Sequence, residues 1–201
     1  KMTALLKRLG FTHVEEPAVG AAEVSRDYTR LLKARSLPNI ITTACPTVVS
    51  LVEKHYPDLI GFLAPVVSPM VAHARMLRAT YGPRIRVVFI GPCLSKKEEG
   101  SDVIHAGAVD AVLTFEELQA LFDSRDFDLC TLGDDVLDNA SYYGRIFARS
   151  GGLSDAITEA VKELGAEGFE FKPEVCDGID ACKMALLKKS KNIPMGNFIE
   201  G

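Results

Sequence analysis

Arg86-Val-Val-Phe-Ile-Gly-Pro-Cys-Leu-Ser-Lys-Lys-Glu-Glu99 sets the grammar of this chain. Residues 86–90 are β-branched and aromatic with no charge after the first, the pattern of a short, fully buried strand. Gly91-Pro92 stops it, because proline has no amide to give a ladder and glycine permits a sharp exit. Cys93 is therefore expected at a strand's carboxyl end, where open parallel sheets gather ligands. Lys96 and Lys97 follow within one helical turn, and nearby cations favour a thiolate. The alternative for Cys93 is a small core hydrophobe beside a solvated turn.

The same strand-then-helix order recurs on both sides of this stretch. Ile40-Ile41-Thr42-Thr43 reads as a buried strand, and Cys45-Pro46 follows it. Proline suits the first position of a helix. Val48, Leu51, Val52 and His55 then share one helical face over residues 46–56. Cys45 is thereby placed at a helix N-terminus, where unpaired amides and the macrodipole favour a thiolate. Residues 1–9 and 21–34 carry helical spacing, and Leu59 to Ala64 reads as a strand. Ser68-Pro69 opens a helix that Gly82-Pro83 closes. Ala108 to Leu113 is a second buried run, after which Thr114 and Glu117 have capping-box spacing. Residues 124–139 read as an acidic surface loop, and Ile146-Phe147 precedes Ser150-Gly-Gly152 and an amphipathic helix. A strand over 174–176, a helix over 179–187 and a last strand over 197–200 complete the order. Alternating strands and helices predict an α/β fold with mainly parallel sheets flanked by helices.

The 201 residues suffice for one large domain or two interleaved lobes, and 47% of them are hydrophobic. A net charge of −4 without a long basic run argues against a nucleic-acid partner. No uncharged apolar stretch is long enough to span a bilayer and no signal-peptide pattern opens the chain, so no membrane partner is expected. Five irregularly spaced cysteines argue against a disulfide framework and for a reducing, cytoplasmic setting. Because the first residue is lysine, the sequence is read as a fragment or an excised domain.

Two thiols at strand ends suggest a metal or iron–sulfur site, although clusters are usually held by four thiolates. Cys182 lies on an apolar helical face and is expected to be packing, while Cys176, ending a short strand, reads as more open. Cys130 has no nameable partner, and His13, His55, His73 and His105 have no metal-ligand spacing to one another. A nucleophile built from Cys93 and Lys96 lacks a third orienting group.

Several separated segments now form a recognisable series. They are Thr42-Thr-Ala-Cys-Pro46, Lys54-His-Tyr-Pro57, Ser68-Pro69, Gly91-Pro-Cys-Leu-Ser-Lys-Lys97 with Glu99, Val109-Asp-Ala-Val-Leu-Thr114 with Glu117-Leu118, and Ser150-Gly-Gly152. In this order, over nearly the whole chain, they resemble the C-terminal cluster-binding domain of iron-only hydrogenase large subunits. The resemblance implies two intertwined α/β lobes with a hydrogen-activating cluster in the cleft between them. It makes Cys45 and Cys93 ligands of a 4Fe–4S cluster and gives Lys96 a contact to a cyanide on a two-iron subcluster. It assigns Glu99 to a proton route and Ser68 to the cofactor surroundings. The implied partners are a ferredoxin-like electron carrier or N-terminal iron–sulfur modules of a longer parent.

The segment Val175-Cys-Asp-Gly-Ile-Asp-Ala-Cys-Lys-Met-Ala-Leu-Leu187, then Asn197-Phe-Ile-Glu-Gly201, resembles what precedes the family's last two cluster cysteines. On that alignment Cys176 and Cys182 are bystanders, and this fragment alone is expected to hold no cluster or to hold iron weakly. Departures from the family pattern fall around the two-iron unit. Ala44 stands where hydrogenases carry the cysteine that passes protons, Met70 where they carry glutamine, and Gly91 where they carry methionine. The N-terminal glutamate pair of the proton route has no clear counterpart, with Asp27-Tyr28 standing nearby. A methyl group cannot deliver a proton. The implied activity is therefore slow hydrogen oxidation or evolution, or hydrogen or redox sensing, with a non-catalytic iron–sulfur scaffold or electron relay as the alternative.

Overall fold

A computed structural model describes residues 1–34, 38–125, 127, 132–133, 137, 139–163, 165 and 170–201. Among them, β1 (Ile40–Ile41), β4 (Pro173–Val175) and β5 (Phe198–Glu200) make a parallel sheet in the order β1-β5-β4. The intervening chain supplies a second parallel sheet, β2 (Val88–Ile90) beside β3 (Ala111–Leu113). The expected fold class is thus observed, mainly parallel sheets with helices, and the two-stranded sheet falls in sequence between β1 and β4 of the other.

Period-two alternation explains how the three-stranded sheet acquires two covers. Ile40 pairs with Phe198 and Ile41 with Ile199, so each couple faces its own layer. Ile40 and Phe198 pack against Val24, Tyr28 and Leu32 of α2 (Ala18–Ala34) and Leu153 and Ile157 of α8 (Gly152–Glu163), which follows the short α7 (Tyr142–Ile146). On the other side, Ile41 and Ile199 pack against Val48 and Val52 of α3 (Pro46–His55). Cys182, Ala185 and Leu186 of α9 (Ile179–Ser190) complete that layer.

The two-stranded sheet is covered differently. Val87, Ala108 and Val109 pack with Met70, Val71 and Ala74 of α4 (Pro69–Tyr81). The short α1 (Met2–Arg8) packs against α6 (Phe115–Asp123) through Leu5, Leu6, Leu118 and Phe122. α2 joins the halves by crossing α4, where Gly20 lies too close to Pro69 and His73 for any side chain.

Local chemistry sets the helix ends as expected. Ser68 caps α4, Thr114 and Glu117 form a capping box on α6, and Pro46 opens α3 behind Cys45. α4 ends at Gly82, whose φ of +94° an L side chain rarely adopts.

Five expectations are corrected. Residues 59–64 are not a strand: Pro57–Phe62 is a 3-10 helix, and only Leu63 bridges to Ile41. The run 86–90 is a strand only over Val88–Ile90, and those residues are half-buried, because this sheet has two strands and two open edges. In the run 108–113, Asp110 turns the chain by bonding Val87 N–H through Oδ2 at 2.7 Å, so β3 begins only at Ala111. His55 points to solvent, not to the apolar face of α3. Cys176 is buried, because its N–H pairs with Glu200 O at 2.8 Å beneath α9. Cys130 and most of the loop read at 124–139 lie outside the described residues.

Candidate metal centre

Cys45 is the N-cap residue of α3, in an extended conformation (φ −101°, ψ 109°) and without a side-chain cap bond. It follows β1 through a tether that sequence reasoning missed. Tyr28, read from the sequence within a helix and near the missing proton-route glutamates, accepts from Thr43 N–H at 2.8 Å and bonds the Thr43 hydroxyl at 3.1 Å. Complete burial pushes the Tyr28 phenol up to about 12. Thr42 Oγ1 beside it is buried with no hydrogen-bond partner among the described residues.

Cys93 follows β2 after Gly91, whose N–H bonds Leu113 O at 3.0 Å. A side chain at Gly91 would meet the Phe89 ring at 2.8 Å, so a family-like methionine has no room there without a shift of that ring. Both thiols are half-buried and free.

Two contacts hold the Cys45 and Cys93 loops together. Lys96 Nζ donates to Ala44 O at 3.2 Å and to Glu99 Oε2 at 2.7 Å. The hydroxyls of Thr47 and Ser95 are 2.7 Å apart. The Lys96 and Glu99 side chains are only 12% and 7% exposed, so this ion pair within α5 (Ser95–Ser101) braces Lys96 where it reaches Ala44 O on the loop before α3. Lys96 N–H also donates to Cys93 O at 3.3 Å, giving one residue bonds to both cysteine loops. Nothing in sequence spacing reveals a contact spanning 52 positions.

Ser68 lies deeper. Its side chain is buried and accepts from Val71 N–H at 3.5 Å, so its oxygen serves the α4 cap. Met70 is buried against the two-stranded sheet, and Ala44 packs at the edge of the α2–α8 layer.

Residue 201 arrives at the same place from the other direction. A side chain at Gly201 would meet Cys182 Sγ at 2.8 Å and Val48 of α3 at 3.0 Å. Desolvation raises the Cys182 thiol, and the neighbouring Cys45 raises it further. Cys176 touches Cys182, and burial pushes its thiol up to about 12. Structural thiols in such surroundings are inert. Glu200 is fixed beside them: its carboxylate accepts from Leu153 and Ser154 N–H at 3.1 and 2.9 Å, capping α8.

Two free, half-buried thiols are the metal-ligating side chains at this place. Cys45 and Cys93 stand on adjoining loops, but the described residues contain no group of three or more His, Cys, Asp or Glu side chains able to hold a metal ion. No described helix is long and apolar enough to cross a membrane.

Comparison with known proteins agrees with this geometry. The family model for the C-terminal domain of the iron-only hydrogenase large subunit matches residues 1–201. The NADP-reducing hydrogenase subunit HndD of Solidesulfovibrio fructosivorans is 30% identical over 96% of this chain and 37% of its own length. Iron hydrogenase 1 of Clostridium pasteurianum is 26% identical over the same shares. The cytosolic Fe-S cluster assembly factor NAR1 of Botryotinia fuckeliana is 29% identical over 51% of this chain and 21% of its own. The chain thus spans little more than a third of the two hydrogenases. Among solved structures, an FeFe-hydrogenase studied for oxygen damage to its 2Fe subcluster superposes with a TM-score of 0.77 at 22% identity, covering 99% of this chain and 69% of that one. Apo FeFe-hydrogenase HydA1 from Chlamydomonas reinhardtii gives a TM-score of 0.73 at the same identity and coverage. The chain belongs to the family formed by the C-terminal domains of iron-only hydrogenase large subunits.

Proposed function

We propose that this chain is the part of a hydrogenase-like protein that supplies two thiolate ligands, Cys45 and Cys93, to a 4Fe–4S cluster. The observation that carries the reading is the strut from Lys96 to Ala44 O and Glu99, which fixes one cysteine loop against the other. The remaining ligands and a two-iron subcluster belong to the full-length protein, with a ferredoxin-like carrier or its own iron–sulfur modules as electron partner. A bound cluster supplies one-electron chemistry.

The residues of this chain orient and shield that site. The N-terminus of α3 lies behind Cys45, and Lys96 is held between Ala44 O and Glu99 beside it. Glu99 holds Lys96 in place across their 2.7 Å bond. Ala44 offers only its carbonyl to Lys96 and has no side chain to relay a proton. We assign the full-length protein slow hydrogen turnover or hydrogen or redox sensing. A scaffold or electron-relay role is the second reading, and the similarity to NAR1 over 51% of the chain favours it.

The test is the full-length protein matured anaerobically with a two-iron cofactor. Infrared bands of bound cyanide and carbon monoxide with hydrogen-dependent dye reduction support the first reading. A four-iron signal without such bands supports the scaffold. Ala44→Cys is expected to raise residual activity, and no gain would remove Ala44 as the limit on turnover.

A further inference from the structure

We propose that Tyr28 is the residue that positions Cys45: its buried phenol, bonded twice to Thr43, sets the loop that presents the thiol. The proposal rests on the iron–sulfur reading above and names what anchors that site from α2.

Packing alone does not call for a phenol here. Residues 24, 28 and 32 share one helical face, where Val24 and Leu32 are apolar and Tyr28 is completely buried. The Phe198 ring meets the Tyr28 ring edge-on at 5.5 Å, a contact that phenylalanine makes equally well. Burying a hydroxyl costs free energy unless it is hydrogen-bonded, and the bonds Tyr28 makes are to Thr43. The described residues already enclose this side chain completely, so further chain in a longer parent neither covers nor uncovers it.

The neighbouring carbonyls fix the direction of each bond. Thr43 Oγ1 lies 2.5 Å from Val66 O and 3.3 Å from Ala64 O. A carbonyl oxygen only accepts, so the Thr43 hydroxyl donates to these oxygens and accepts from the Tyr28 O–H. Thr43 N–H in turn donates to the same phenol oxygen at 2.8 Å. One side chain thus holds both the backbone and the hydroxyl of a single residue.

That residue lies two positions before the thiol. Thr42 N–H donates to Ile199 O at 2.9 Å, and Cys45 O accepts from Val48 and Val49 N–H at 3.1 and 3.2 Å. These are ladder and helix bonds, which the backbone forms whatever its side chains. Between them, residue 43 is held by Tyr28 and residue 44 by Lys96. Lys96 reaches in from α5, and Tyr28 ties the same loop to the close-packed layer of α2. Without the phenol oxygen the Thr43 amide loses its partner, and the loop regains the freedom that the tether removes.

The test compares the full-length protein with its variants Tyr28→Phe, Thr43→Ser, Thr43→Val and Ile157→Val. Iodoacetamide labelling of Cys45, read by mass spectrometry, is measured on the iron-free protein. Electron paramagnetic resonance g values and the midpoint potential are measured after anaerobic reconstitution. Tyr28→Phe should raise the labelling rate about tenfold and move both the g values and the potential. Thr43→Ser keeps both bonds and should behave as the parent does, whereas Thr43→Val keeps only the amide bond and should fall between. Ile157→Val, in the same buried layer, should lower the melting temperature and leave labelling and potential unchanged. Parental labelling and potential in Tyr28→Phe would overturn the proposal, as would equal shifts in Ile157→Val. If Tyr28→Phe does not fold, parental values in Thr43→Val overturn it in the same way. The expected labelling series in a protein that takes up no iron would keep the Tyr28 assignment and remove the cluster reading instead.

Discussion

The two sheets position one candidate ligand each, and they do so with unequal rigidity. β1, which leads to Cys45, lies in a sheet covered on both faces, with Ile40, Ile41, Phe198 and Ile199 essentially inaccessible. β2, which leads to Cys93, lies in a two-stranded ribbon whose Val88, Phe89 and Ile90 are all half-buried. Cys45 thus inherits its place from a close-packed sandwich. Cys93 inherits its place from the Lys96 bond to Ala44 O, with Glu99 bracing Lys96, and from the Thr47–Ser95 contact. A site built this way has one fixed wall and one adjustable wall.

The largest effect should come from the core that makes this contrast. Phe198→Ala empties a completely buried position and should cost about 3–5 kcal/mol, whereas Phe89→Ala should cost about 1–2 kcal/mol. Urea denaturation of both variants measures the difference, and equal losses would break the comparison. Next comes the strut. Glu99→Ala leaves the Lys96 ammonium, 12% exposed, without its carboxylate and should cost about 3 kcal/mol. Hydrogen exchange should then rise at residues 93–97 before it rises at residues 43–47.

Titration should separate the halves as well. Tyr28 and Cys176, in the three-stranded half, are neutral acids with folded values raised to about 12 from ordinary values of 10.0 and 9.0. Above those ordinary values the unfolded chain ionises while the folded one stays neutral. Stability is therefore full below about pH 9 and falls as pH rises toward 12. Asp110, in the two-stranded half, runs the other way. Its bond from Val87 N–H, helped by Arg86 and Arg78, holds it below its ordinary 3.8 against partial desolvation. Its contribution is present above that value and is lost as pH falls through the lowered folded one. Melting followed from acid to alkali should show Asp110→Asn flattening only the acid limb and Tyr28→Phe only the alkaline limb. The smallest effect is Thr114→Ala, which removes the α6 capping box and should cost about 1 kcal/mol.

Legibility in the sequence follows the same division. Helix ends are readable because caps are local chemistry: Ser68, Thr114 with Glu117, and Pro46 behind Cys45 do what their residue types dictate. The apolar run 59–64 misleads because short apolar stretches do not distinguish a strand from a buried turn, and Pro57 tips this one to a 3-10 helix. The limits of β2 and β3 are hidden because Asp110 sets them through bonds to Val87 and Arg86. Cys45 and Cys93 are visible as strand-end thiols and through family resemblance. The Tyr28–Thr43 tether, the Lys96–Ala44 bond and the approach of Cys182 to Gly201 are not, because each joins residues the fold alone brings together.

The central claim is that the thiols of residues 45 and 93 serve one cluster while those of residues 176 and 182 do not. The most direct measurement is iron and sulfide content, with electron paramagnetic resonance, of the full-length protein reconstituted anaerobically and compared across four Cys→Ser variants. The account predicts that Cys45→Ser and Cys93→Ser each lose the four-iron signal, and that Cys176→Ser and Cys182→Ser keep it. A signal that survives both of the first pair, or is lost in either of the second, would contradict it.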